Sequence, residues 1–169
     1  MTIEELNKMT ERLLVKPRKR GPARVALTPR DKDALSRAFT VHPGWAWAIC
    51  AGVKKQEWRT FLPNPRKGTC AVHVSKTYGK AQWRRENGCV KEWWGVELPP
   101  YEELVENWCG KIVAVCDYEA AEGDWDTDAY GWRLTNLRLL KKHIPCKGAL
   151  KLWRMSPELA AKVLSQIVG

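Results

Sequence analysis

Residues 52–59 read Gly52-Val53-Lys54-Lys55-Gln56-Glu57-Trp58-Arg59. The stretch sets a Lys, a Glu and an Arg close together, directly after an apolar, helix-compatible run from Gly44 to Ala51 that carries Trp45 and Trp47. On a helix, positions 54 and 57 share a face. In an extended segment, 57 and 59 point to the same side. A turn at Gly52 followed by a strand brings all three to one cleft. A Lys beside a Glu has three uses. It forms a structural ion pair, or it grips a phosphate or base edge while the Glu accepts from an amino group. Where burial lowers its pKa, it serves as nucleophile or base. Spacing alone favours the ion pair, because exposed charge pairs are common and mostly inert.

Strands and helices follow on the C-terminal side. Thr69–Val74 and Lys111–Cys116 alternate as strands do, and Trp132–Leu140 and Gly148–Trp153 read as two more, separated by Pro145. Pro100–Trp108 opens with Pro and acids, as a helix should, with Tyr101, Leu104, Val105 and Trp108 on its inner face. Ser156-Pro157-Glu158 starts a last helix whose apolar face is Leu159, Val163, Leu164 and Ile167. Residues 76–98 are polar and aromatic without a clear period. They read as an insertion, mobile or partner-facing, whose Trp83, Trp93 and Trp94 either meet a protein partner or cover the end of the domain. Residues 117–128 are acidic. The spacing of Asp124, Asp126 and Asp128 lacks the glycine and the closing Glu of a calcium loop, since Ala129 and Thr135 stand there, so a solvated hairpin loop is expected.

The N-terminal side differs. Residues 1–40 hold no Trp and no Cys, and ten Lys/Arg against five Asp/Glu. Thr2 and Glu5 form a capping box before Ile3, Leu6, Met9 and Leu13, which predicts a short amphipathic helix. Lys16-Pro17-Arg18-Lys19-Arg20-Gly21-Pro22-Ala23-Arg24 follows, with too much Pro and Gly for a regular helix. It is either a solvated linker or an arm that tracks phosphates. Thr28 and Pro29 start a second helix, expected to turn Leu35, Ala38 and Phe39 inward.

Composition narrows the function classes. The chain has 169 residues, a net charge of +10 and ten Trp against two Phe. Such a length suits one domain, and such a charge favours nucleic acid or another polyanion as partner. Six cysteines occur without a C-x-x-C pair, so neither a zinc ribbon nor a thioredoxin-like motif is indicated. Cys70 and His73 have C-x-x-H spacing within a strand-like run, where a buried thiol is the expected state. No metal, cofactor or membrane partner is expected, and reduced cysteines point to the cytoplasm. No phosphate-binding loop motif is present.

The segment from Gly52 to Arg59 resembles the G-x-K-x-x-E-x-R motif of the ASCH domain family, with all of its fixed positions present. Pro43–Ile49 is similar to the apolar helix before that motif. Arg66-Lys67-Gly68, the strand to His73 and Ser75-Lys76 are similar to the segment after it. Gly131-Trp132, Asn136 and Gly148–Trp153 are similar to its final strands. The resemblance covers residues 37–155, with a basic N-terminal extension (1–36) and a C-terminal helix (156–169) outside it. It implies an α+β fold, a PUA-like mixed β-barrel with flanking helices, and binding of nucleic acid, RNA ahead of DNA. The implied binding residues are Lys54, Glu57 and Arg59. Trp45, Trp58 and Lys76 beside them, and Arg18, Lys19, Arg20 and Arg84-Arg85 as added basic groups, complete the expected set, with Trp47 assigned to the core. Some family members hydrolyse acetylated cytidine through a lysine in the cleft, and others are described as ribonucleases. On that alternative Lys54, Glu57 and Asp117 are the catalytic candidates. In the hydrolytic members a threonine stands where this chain has Glu57, and a later strand carries a glutamate. Here that strand ends Ile112–Asp117 without one, which favours recognition over turnover.

Overall fold

A computed structural model describes residues 35–121 and 129–167. The expected helices before residue 35, the basic run 16–24 and residues 122–128 of the acidic stretch lie outside the described residues. Six strands form one sheet: β1 (Arg37–Val41), β2 (Gln56–Arg59), β3 (Lys67–Val74), β4 (Lys111–Ala120), β5 (Tyr130–Pro145) and β6 (Leu152–Arg154). Four helices are described: α1 (Pro43–Cys50), α2 (Lys80–Trp94), α3 (Tyr101–Asn107) and α4 (Pro157–Ser165). The strand order is β2-β5-β4-β3-β1-β6, with β1 parallel to β3 and every other pair antiparallel. The class is therefore α+β with a mixed sheet.

The sheet is curled. Arg59 on edge strand β2 donates through Nη2 to the Thr40 carbonyl of β1 at 2.8 Å, although β1 stands four places away in the strand order. In a flat sheet those strands would be roughly 19 Å apart at about 4.8 Å per strand. An arginine cannot span that, so the strands wrap toward each other as a half-barrel.

Side-chain alternation fills the two faces separately. Phe39, Val41, Cys70, Val72, Cys116, Tyr118 and Trp132 point into the concave face, where Ala46, Ile49 and Cys50 of α1 close over them. Ala38, Ala71, Ile112, Val115 and Leu140 point to the other face, covered by Ala160 and Val163 of α4. The α4 start is as expected, since Ser156 Oγ accepts from the Leu159 amide at 3.1 Å. Trp47 is core, packed with Val90 of α2 and Leu104 of α3.

Four expectations are corrected. Of the strand expected over Gly148–Trp153 only Leu152 and Trp153 pair, as part of β6. Residues 80–94 form a fifteen-residue helix, closed by Gly95 in the left-handed region at φ +67°. Its period is hidden because the most buried residues facing the body are Glu86 and Val90, and a buried Glu does not register as apolar. Ala38 and Phe39 lie on a strand, because β3 and β6 pair with β1 on both sides, and pairing overrides a local helical pattern. Val105 is exposed, leaving Leu104 as the buried anchor of α3.

Glu86 ties α2 to the start of α1. Its carboxylate, 1 % exposed, accepts from the Gly44 amide at 3.1 Å, from Tyr78 Oη at 2.8 Å and from Gln82 Nε2 at 2.7 Å, and His42 Nδ1 lies at 2.9 Å. The acid thereby serves the otherwise unpaired Gly44 amide in the first turn of α1 from another helix. Gly44 is required there, since a Cβ would collide with the carboxylate. Glu86→Ala strips partners from Gly44 N–H and Tyr78 O–H at once and should lower the unfolding free energy by about 3 kcal/mol, read from urea denaturation. His42 is held above its ordinary pKa, chiefly by the hydrogen bond to Glu86, against its own burial and the charges of Arg59 and Arg85. A raised folded value means its stabilisation is complete below the unfolded value of about 6.5 and fades as pH rises through the folded one. The stability gap between wild type and His42→Ala should therefore shrink as pH is raised from about 5.5 to about 8.5.

Candidate functional site

Residues 52–59 are placed by the end of α1. Gly52 adopts φ +77°, and its amide donates to Ile49 O at 2.9 Å. The amides of Val53 and Lys54 then both reach Ala48 O, at 3.1 and 3.0 Å. The chain leaves this turn into β2, which pairs with β5 so that Glu57 faces Trp132 and Arg59 faces Tyr130. Alternation sends Glu57 and Arg59 to the concave face and Trp58 outward.

The structure brings Lys54, Glu57 and Arg59 together. Lys54 Nζ is 3.1 Å from Glu57 Oε2, and Arg59 Nε is 3.1 Å from Glu57 Oε1. The Arg59 Nε–H is not aimed along that contact and makes no hydrogen bond, so the attraction is ionic. Lys54 also donates to Gln56 O, and its ammonium sits 5.6 Å from the Trp45 ring centre. Arg59 lies 5.6 Å from the Phe39 ring centre, and its Nη2 takes the Thr40 carbonyl. That carbonyl is free for a geometric reason. Val41 O takes the Ser75 amide, so on alternating strand geometry Thr40 O points toward β6, whose pairing with β1 runs only to Phe39–Leu152. Only about a tenth of the Lys54 and Glu57 side chains is exposed. The cluster holds one more positive than negative group.

Trp45 links this cluster to α2. It stacks on Trp93 at 6.0 Å and 9°, with Trp94 edge-on at 6.5 Å. Trp93 and Trp58 are more than half exposed, at 59 % and 53 %. From sequence Trp93 has two readings, a protein contact or a cover for the end of the domain, and its pairing with Trp45 is visible only once residues 80–94 are known to be helical.

The other expected residues lie elsewhere. Asp117 is on the face of the sheet opposite Cys116 and Tyr118, hence opposite Glu57. There it accepts from Thr69 Oγ1 at 2.8 Å, Asn136 Nδ2 at 3.0 Å and Arg138 Nη2 at 2.9 Å. Arg18, Lys19 and Arg20 lie outside the described residues. Lys76 lines a cleft of about 890 Å3 together with Thr40, His73, Cys146, Lys147 and Gly148, a set that includes none of Lys54, Glu57 or Arg59. Sequence reasoning passed over Thr40 and Lys147, and weighed His73 only for its spacing from Cys70. The available signal was His73 itself, a polar residue between Val72 and Val74. His73 is held below its ordinary pKa by burial. All six cysteines are free thiols, and burial raises those of Cys109 and Cys146. Among the described residues no cluster of three or more His, Cys, Asp or Glu is arranged to hold a metal ion, and no helix is long and apolar enough to cross a membrane. Neither the models of known protein families nor the curated proteins include a match to this chain.

Glu57 is the one acid paired with two mostly buried cations, so it is the sensitive member of the cluster. Glu57→Gln should cost about 3–5 kcal/mol of stability, while Lys54→Met, which leaves the carboxylate paired with Arg59, should cost less than half of that. Urea unfolding of the two variants measures both.

Proposed function

We propose that this chain is a nucleic-acid-binding module of the ASCH type, built on a PUA-like barrel and taking single-stranded RNA in preference to DNA. The observation that carries this reading is the exposed indole of Trp93, stacked on Trp45, whose own ring lies beside the Lys54 ammonium. Single-strand binders combine such aromatic platforms with cations that follow the phosphates. In this reading a base stacks on Trp93, Lys54 and Arg59 supply the positive field, and Glu57 holds both cations in place. Trp58 offers a second platform on the outer side of β2. The net charge of +10 adds affinity that does not depend on sequence. The motif's resemblance to ASCH domains sets RNA ahead of DNA.

The test is a panel of single-stranded RNA and DNA oligonucleotides, titrated at low salt by fluorescence anisotropy. RNA should bind more tightly than DNA, and Trp93→Ala should weaken RNA binding by about 1–3 kcal/mol while leaving the fold intact. Absence of binding to every oligonucleotide would overturn the proposal. Acetylated cytidine and labelled RNA belong in the same panel. Product formation that disappears in Lys54→Ala would replace recognition by turnover.

A further inference from the structure

The cleft lined by Thr40, His73, Lys76 and Lys147 opens on the face of the sheet away from Glu57. Its volume of about 890 Å3 is within the range of small-molecule sites and far larger than a bare ion requires. The wall is preformed. His73 Nε2 donates to the Cys146 carbonyl at 3.1 Å, and Thr40 Oγ1 lies 3.1 Å from His73 Nδ1. Trp153 Nε1 donates to the same hydroxyl at 3.1 Å. Gly148 lets the 145–150 segment close on the imidazole, since a Cβ there would strike the His73 ring. These contacts fix β1, β3 and the segment after β5 around one space.

The charge in that space is one-sided. Lys76 and Lys147 are exposed and lie in the cleft lining, which holds no carboxylate. Neither lysine has an ion-pair or hydrogen-bond partner among the described residues. This separates them from Lys54 and Arg59, whose charge is met by Glu57. One stretch of the wall is aliphatic, with Pro145, Ala149 and the 89 % exposed Leu150, and Ser75, Cys109 and Cys146 also line the cleft. Two uncompensated ammonium groups beside an apolar wall, in a space of nucleotide size, fit a phosphate joined to a flat or sugar-like body.

We propose that this cleft is a nucleotide site, in which Lys76 and Lys147 neutralise one phosphate and the sugar and base lie along Pro145, Ala149 and Leu150. Its strand-bound form rests on the nucleic-acid reading above, and its free-nucleotide form does not. Thr40 joins the two sites, because its carbonyl takes Arg59 while its side chain lines the cleft.

The full chain and the Lys76→Ala/Lys147→Ala double variant are titrated with a nucleoside monophosphate and with a single-stranded RNA oligonucleotide across a salt series. Circular dichroism and Tm confirm that both are folded. For one shared phosphate, the slope of log K against log salt for the oligonucleotide should flatten by about 0.7 in the double variant, and monophosphate affinity should fall at least about tenfold. Loss of monophosphate binding with an unchanged oligonucleotide slope supports the cleft and identifies the free nucleotide as its ligand. A flattened slope without monophosphate binding supports it for a strand phosphate. If the wild type binds the oligonucleotide and the double variant changes neither measurement, the cleft proposal falls and the nucleic-acid reading stands. If the wild type binds the monophosphate alone, the nucleic-acid reading falls and the cleft stands on the variant's loss of that binding. If it binds neither, both fall.

Discussion

Arg59 joins the two ends of the sheet. β2 is an edge strand of four residues, too short to hold its place by ladder hydrogen bonds alone, and its partner across the concave face is a strand four places away. The guanidinium fork suits this task, because one end can lie against Glu57 while the other donates to a main-chain carbonyl. A lysine offers a single point of charge and cannot do both in fixed directions. Glu57 makes the burial of that cation tolerable. Buried ion pairs contribute little net stability compared with apolar packing. What this pair contributes is geometry, since it fixes how far the sheet curls.

A second carboxylate has the same role at the other end of α1. Glu86 receives the Gly44 amide in the first turn of that helix, and Lys54, just past its last turn, is held by Glu57. An eight-residue helix is marginal by itself. This one is fixed at its N-terminus by an acid from α2 and just past its C-terminus by one from β2. Trp45 sits between those anchors, so its ring is placed precisely enough to meet both Lys54 and Trp93. The aromatic cluster depends on two buried acids.

Local rules were enough for the Gly52 turn, the strand after it, the cap at Ser156 and the cores of β3 and β4. Each depends on residues adjacent in sequence. Helix α2 was not legible, because its buried face is written in Glu86 and Val90, and pattern reading counts a Glu as solvent. The strand identity of Ala38 and Phe39 was not legible either, since it arises from pairing with residues 71–72 and 152–153. The gathering of Lys54, Glu57 and Arg59 followed from alternation once a turn and a strand were assumed. The 890 Å3 cleft draws on residues 40, 73–76, 109–110 and 145–150, which only the folded sheet brings together.

Two pairs of cations thus differ in their partners. Lys54 and Arg59 are mostly buried, lie within 3.1 Å of a carboxylate and are committed to the chain's own carbonyls. Their attraction for a ligand is reduced by Glu57, and solvent salt screens them weakly. Lys76 and Lys147 face solvent without a compensating acid, where a bound phosphate would release counterions and make affinity depend on salt. Groups of the first kind set the position of aromatic rings and strands. Groups of the second kind add charge that no acid of the cleft lining offsets. The motif that stands out in the sequence belongs to the first kind, because fixed spacing is what a structural ion pair requires. Lysines of the second kind carry no spacing signature, which is why Lys147 emerges only from the fold.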